Sequence, residues 1–194
     1  MTHEFAELPV LSISLPAWVS RVLGSPCIYT TLEAQMRLAI TLARENVLHS
    51  SGGPFGAAVF EQGSGRLVSV GVNSVERLHN AILHAEVMAL MFAEAHIQSY
   101  TLRIAEQPSY TLVTSCDPCA MCLGAVLWSG VQRLVCGAGR SDALQLGFEE
   151  GPVFPASYHY LHDRGIEVVH GMLAHEARAV MALYQERGER IYNG

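Results

Sequence analysis

Two short motifs, His84-Ala85-Glu86 and Pro118-Cys119-Ala120-Met121-Cys122, constrain this chain more than any hydrophobic run does, because a fold in which they act together must close about thirty residues into one point. One imidazole and two thiolates can hold a zinc ion and leave its fourth position to water. A glutamate two residues from the histidine can then move that water's protons. The spacing also says where the ligands sit. Pro118 suits the first turn of a helix, where its missing N–H costs little, and this predicts Cys119 and Cys122 one turn apart at a helix N-terminus, a place that favours thiolate. His84 falls at the start of a second helix, so two helix starts facing one another would supply all three ligands. Residues i and i+2 project about 200° apart on a helix, which makes Glu86 a poor co-ligand but leaves it able to reach the metal's water.

Either motif alone is weak, since a lone Cys-x-x-Cys or a lone histidine is common in packed cores. Their conjunction points to hydrolytic deamination. The competing reading is a closed site in which Cys116 is the fourth ligand and nothing is catalysed. In that arrangement Glu86 would have no purpose.

The flanking pattern predicts an α/β layered domain. Thr30 with Glu33 reads as a capping box for a helix to about His49, with Leu32, Met36, Ala39, Ile40, Ala43 and Val47 at helical spacing. Ala57–Phe60 and Arg66–Val72 flank the Gly63-Ser64-Gly65 turn as a β-hairpin. Helices are expected over Asn80–Ile97, Cys119–Trp128, Ser157–Arg164 and His175–Arg187, and strands over Tyr110–Thr114, Val131–Cys136 and Ile166–Val169. Residues 1–29, with Pro9, Pro16 and Pro26, read as an extension packed on a single domain of residues 30–194.

A chain of 194 residues, half of them hydrophobic and 15% charged, is globular rather than disordered. No apolar run approaches the roughly 18 residues of a membrane span. The stretch Leu8–Val19 is broken by prolines and preceded by Glu4 and Glu7, so it fails as a signal peptide. With three of five cysteines clustered at metal-like spacing, a reducing cytoplasm is expected. The net charge of −6, with twelve scattered arginines and no lysine, argues against a nucleic-acid partner.

Gly52-Gly53-Pro54-Phe55-Gly56-Ala57, Asn73 eleven positions before His84, His84-Ala85-Glu86, and Thr114-Ser115-Cys116-Asp117-Pro118-Cys119-Ala120-Met121-Cys122-Leu123-Gly124-Ala125 together resemble the cytidine deaminase superfamily from about residue 31 to the C-terminus. Within it the match is closest to the bacterial guanine deaminases, because Gly147-Phe148-Glu149-Glu150 resembles their Gly-Phe followed by two acids, here glutamates in place of aspartates. The resemblance implies a three-layer α/β/α sandwich with a mixed sheet of about five strands and one zinc held by His84, Cys119 and Cys122. It implies a small-molecule nucleobase substrate and a purine-catabolic homodimer.

Glu86 is the expected proton carrier, and Glu150 the expected second one, with Glu149 the more solvated acid. Asn73 is expected to hydrogen-bond the base. Phe55, Phe148 and above all Trp128 are expected against its ring, with Ala85 beside it and His79 at the border. In that family the C-terminus is exchanged between subunits and a terminal aromatic closes the partner's site, which would be Tyr192 here. Deamination of tRNA adenosine or of cytosine, and a non-catalytic zinc-stabilised module, are the alternatives the sequence leaves open.

Overall fold

Thr31 starts the first long helix. Its hydroxyl accepts from Ala34 N at 3.1 Å, one residue later than the Thr30–Glu33 pairing predicted, because the extended backbone before the helix ends at Thr31. The structure is a computed structural model that describes residues 10–23 and 27–193. In chain order its elements are α1 (Val19–Val22), α2 (Leu32–Leu48), β1 (Gly56–Glu61), β2 (Leu67–Val72), α3 (Val75–Leu78), α4 (Ala85–Ile97), β3 (Tyr110–Cys116), α5 (Ala120–Ser129), β4 (Arg133–Ala138), α6 (Arg140–Leu146), α7 (Pro155–Asp163), β5 (Glu167–Val169) and α8 (Ala174–Glu186).

The strand side chains alternate between two cores as a pleat requires, except at Val68, where a register shift in the β1–β2 pairing turns the side chain to the other face. Ala58, Phe60, Val70, Val72, Val113 and Val135 join one hydrophobic cluster with Met36, Leu42 and Ala43 of α2 and with Val180, Met181 and Tyr184 of α8. Ala57, Val59, Val68, Leu112, Leu134 and Cys136 join the other, with Ala85, Ala89 and Ala93 of α4, Leu123 and Val126 of α5, and Leu161 of α7. The result is a three-layer α/β/α sandwich. Its sheet is mixed, in the order β2-β1-β3-β4-β5, with β1 antiparallel to both β2 and β3 and with β3, β4 and β5 parallel.

That topology decides where a site can form. The hairpin puts the start of β1 beside the end of β2, pairing Gly56 with Val72. Antiparallel pairing of Ala57 with Thr114 brings the end of β3 to the same place, and parallel pairing of Cys116 with Ala138 adds the end of β4. Phe55, Asn73, Asp117 and Gly139, each just beyond a strand, therefore share one end of the sheet, the crevice where α/β sheets bind ligands.

Three short helices, α1, α3 and α6, were not expected, because four to seven residues carry too little periodicity to read. Of the expected extension, residues 1–9 and 24–26 lie outside the described residues, Pro9 and Pro26 among them. The described part packs on the sandwich, where the Trp18 indole N–H donates to Ser51 Oγ at 3.0 Å and its ring stacks on His49.

Candidate active site

His84 is the extended residue immediately before α4, and Cys119 holds the same position before α5. Pro118 accordingly lies outside the helix rather than in its first turn. The correction strengthens the site, because at the cap position the Cys119 sulfur accepts from the Cys122 backbone N–H at 3.5 Å. Each helix starts with its N–H groups towards the same point, as the two-helix reading anticipates.

His84 Nδ1 stands 3.6 Å from Cys119 Sγ, and these two atoms and Cys122 Sγ all lie within 4.8 Å of one another. Ligands on a tetrahedral zinc, with bonds of about 2.05 Å to nitrogen and 2.3 Å to sulfur, are separated by about 3.5 Å. The donor set fits that ion. Cys116 does not join it: its thiol is turned to Gly139 O at 3.8 Å and packs in the cluster on the opposite face of the sheet. Among the described residues three donors gather here, which would leave a tetrahedral ion one open position.

Charge distribution follows from this crowding. Hydrogen bonding from Cys122 and from His84 holds the Cys119 thiol down at about 4, whereas its partner Cys122 is pushed well up, first by sharing that hydrogen bond and then by burial. Glu86 is buried, its Oε1 accepting from Thr114 Oγ1 at 3.1 Å and its Oε2 lying 3.4 Å from Cys122 Sγ. Burial, and then the Cys119 charge, raise its carboxyl above the usual range. Glu150 is buried as well, and burial, the Cys119 charge and Glu86 push it up to about 8.

A cavity of about 360 Å³ opens onto these groups. Of the expected residues, Phe55, Asn73, His84, Glu86, Cys119, Phe148, Glu149, Glu150 and Tyr192 line it. Asn73 is buried, and its Oδ1 accepts from Val75 N at 3.3 Å, so the amide serves a turn and still faces the cavity. Phe148 packs edge-on against both Phe55 and Tyr192, at 5.1 and 5.4 Å between centroids, giving an aromatic wall. Glu149 lines the rim and is exposed, consistent with the more solvated role.

Three expectations need correction. Trp128 is 79% exposed and outside the cavity: six residues beyond Cys122 turn the helix by about 240°, away from the metal-facing side. Ala85 is fully buried under Gly71 and does not line the cavity. His79 ends α3 in a left-handed conformation, also outside it. Tyr192 differs in another way, since in this structure it closes the cavity of its own chain, pinned by Asn193, whose side chain accepts from Glu149 N at 2.8 Å and donates to Gly147 O at 3.1 Å.

Sequence reasoning missed Met121, Val75 and Asp117, which also line the cavity. Asp117 and Met121 lay inside the quoted motif but carried no assigned role.

Comparison with known proteins agrees with this fold. Residues 29–138 match the model of the cytidine and deoxycytidylate deaminase zinc-binding region. A guanine deaminase from Bacillus subtilis is 34% identical over 122 residues, which are 63% of this chain and 74% of that protein. The solved structure of guanine deaminase from Nitrosomonas europaea superposes with a TM-score of 0.87 at 39% identity, covering 91% of this chain and 97% of that one. A mutant protein solved in complex with 8-azaguanine gives the same score and identity over 92% of this chain and 97% of its own.

Proposed function

This chain belongs to the cytidine and deoxycytidylate deaminase family, and from that premise we propose that it deaminates guanine hydrolytically, giving xanthine and ammonia. The observation that carries the reading is the meeting of an open His/Cys/Cys donor set with two buried carboxylates in one nucleobase-sized cavity. His84, Cys119 and Cys122 would hold a zinc ion. When bound, the ion supplies an acidified water, its pKa brought from about 15.7 towards 7.

Glu86 takes a proton and delivers it to the ring nitrogen beside the amino-bearing carbon, which makes that carbon, C2 of guanine, electrophilic. Thr114 holds the carboxylate for this transfer through Oε1. Glu150, whose carboxyl burial raises above its ordinary range, stands in the same cavity and can give a proton to the departing amine. Asn73 offers its amide nitrogen, which has no partner within the described residues, to the base edge. Phe55, Phe148 and Tyr192 supply apolar surface for a planar ring and exclude water.

The test is ammonia release from guanine, cytosine and a tRNA anticodon stem, with xanthine followed alongside. Guanine is expected to react. Turnover of the RNA or of cytosine alone would overturn the reading. A tRNA substrate calls for a basic surface, and a chain with net charge −6 and no lysine offers little of one. No helix of the described residues is long and apolar enough to cross a membrane. We infer a cytoplasmic purine-catabolic role and, from the family resemblance, a homodimer.

A further inference from the structure

Glu150 sits on a loop whose own backbone bonds, from Phe148 N to Ala143 O and from Val153 N to Gly151 O, leave Glu149 and Glu150 to be held from outside. Between α6 and α7 the backbone has no regular structure, and Gly147 and Gly151 both adopt left-handed φ angles, of 105° and 66°. A proton carrier on such a loop needs tethers, because misplacing a catalytic group by 1 Å can cost about 10²-fold in rate. Asn193 holds the loop's first half, at Gly147 O and Glu149 N, and two further tethers reach Glu150 and Gly151 themselves. Ala120 N, one residue past the ligand Cys119, donates to Glu150 O at 2.9 Å. The other is Arg140, whose guanidinium donates through Nη2 to Gly151 O at 2.7 Å.

Arg140 is itself fixed from behind. Its backbone N–H donates to Asp117 Oδ2 at 3.2 Å, and Asp117 Oδ1 pairs with His170 Nδ1 at 2.8 Å. Asp117 N donates to Ala138 O at 2.8 Å. Asp117 lies two residues before Cys119, so the same side chain that anchors Arg140 belongs to the ligand loop.

Asp117, Cys136 and His170 have donor atoms within 4.8 Å of one another and invite a second metal site. The distances decide otherwise. Nitrogen and oxygen ligands of a tetrahedral zinc stand about 3.3 Å apart, whereas 2.8 Å is the length of a direct hydrogen bond. The group is a brace.

We infer that Arg140 is a positioning residue for the deamination proposed above, setting Glu150 against the ligand loop by its hold on Gly151, with Asp117 and His170 keeping it in register. The inference rests on that functional reading for its kinetic consequence. Its structural half stands alone.

The experiment compares Arg140→Met and Arg140→Lys with the wild-type holoenzyme. For Arg140→Met we expect kcat on guanine to fall about 10- to 100-fold, with KM and zinc content close to wild type. Arg140→Lys should recover part of the loss, because an ammonium can reach one carbonyl as a point donor. Hydrogen–deuterium exchange of the zinc-loaded protein without substrate should quicken at the amides of residues 147–151 in Arg140→Met and less in Arg140→Lys. An unchanged kcat, or a fall that merely tracks lost zinc, would overturn the positioning role. Unchanged exchange would overturn the brace. Should the wild type release no ammonia from guanine, the functional reading fails, and the exchange arm still decides on the brace.

Discussion

Gly71→Ala tests how the sheet positions the proposed metal ligand His84 and its neighbour Glu86. Gly71 is in β2, opposite Ala57, with α4 directly above it. A Cβ there would stand 2.1 Å from Ala85 O, 2.5 Å from Ala89 N and 3.0 Å from Met88 Cβ. The two nearest atoms are helix backbone and cannot rotate aside. Relief requires the start of α4 to retreat by at least about 0.9 Å, the gap between 2.1 Å and the 3.0 Å below which real Cβ contacts are essentially never found. His84 and Glu86 flank Ala85 and must move with it, and zinc sites tolerate only about ±0.2 Å in their bond lengths.

The displacement is several times the tolerance, so the expected loss is in metal and catalysis more than in folding. Overpacking costs about 1–3 kcal/mol, which a domain of this size survives. The expected phenotype is a folded protein with weakened zinc affinity and kcat down at least about 10²-fold. Zinc content by elemental analysis after dialysis, urea unfolding and ammonia release measure the three quantities. Gly63→Ala is the control, because nothing lies within 4 Å of its Cβ and its left-handed φ of 83° adds only about 1–2 kcal/mol of strain. A Gly71→Ala protein with wild-type zinc affinity and kcat would refute the argument that this contact sets the ligand positions.

Glu86→Gln should keep zinc and lose roughly 10²–10⁴-fold in kcat, the range of general acid–base work; near wild-type ammonia release would remove Glu86 from that role. Glu150→Gln is expected to lower kcat strongly with zinc content unchanged, while Glu149→Gln, at the exposed rim, changes it little, and equal effects in the two would move the second proton transfer elsewhere. Trp128→Ala, on a side chain 79% exposed, should leave kcat and KM unaltered and shift stability by less than about 0.5 kcal/mol. A raised KM in that variant would restore the sequence-based expectation that Trp128 touches the base.

The His84, Cys119 and Cys122 cluster and both buried carboxylates were legible because their chemistry is carried by residue type at short spacing. His84, Cys119 and Cys122 needed only two helix starts, and the fold supplies them. Contacts across the sheet were not legible in the same way. Thr114 reaches Glu86 only because β3 runs antiparallel to β1 and ends beneath α4, and Asp117 reaches Arg140 and His170 only through parallel pairing of β3, β4 and β5. Trp128 is the instructive error, since the helical turn that placed Cys119 and Cys122 together also predicts that a residue six positions on faces elsewhere.

Of the expected aromatics, Trp128 on α5 lies outside the cavity, while Phe55, Phe148 and Tyr192, three residues far apart in the chain, form its wall. Each stands on an irregular segment at the end of the sheet where β1 begins and β2, β3 and β4 end. Helix faces and strand faces in this sandwich are consumed by the two cores, so the side chains left over for a ligand come from the segments between elements. Those segments carry no periodicity. Their residues could be named only through the family resemblance, and the strand order shows why they meet.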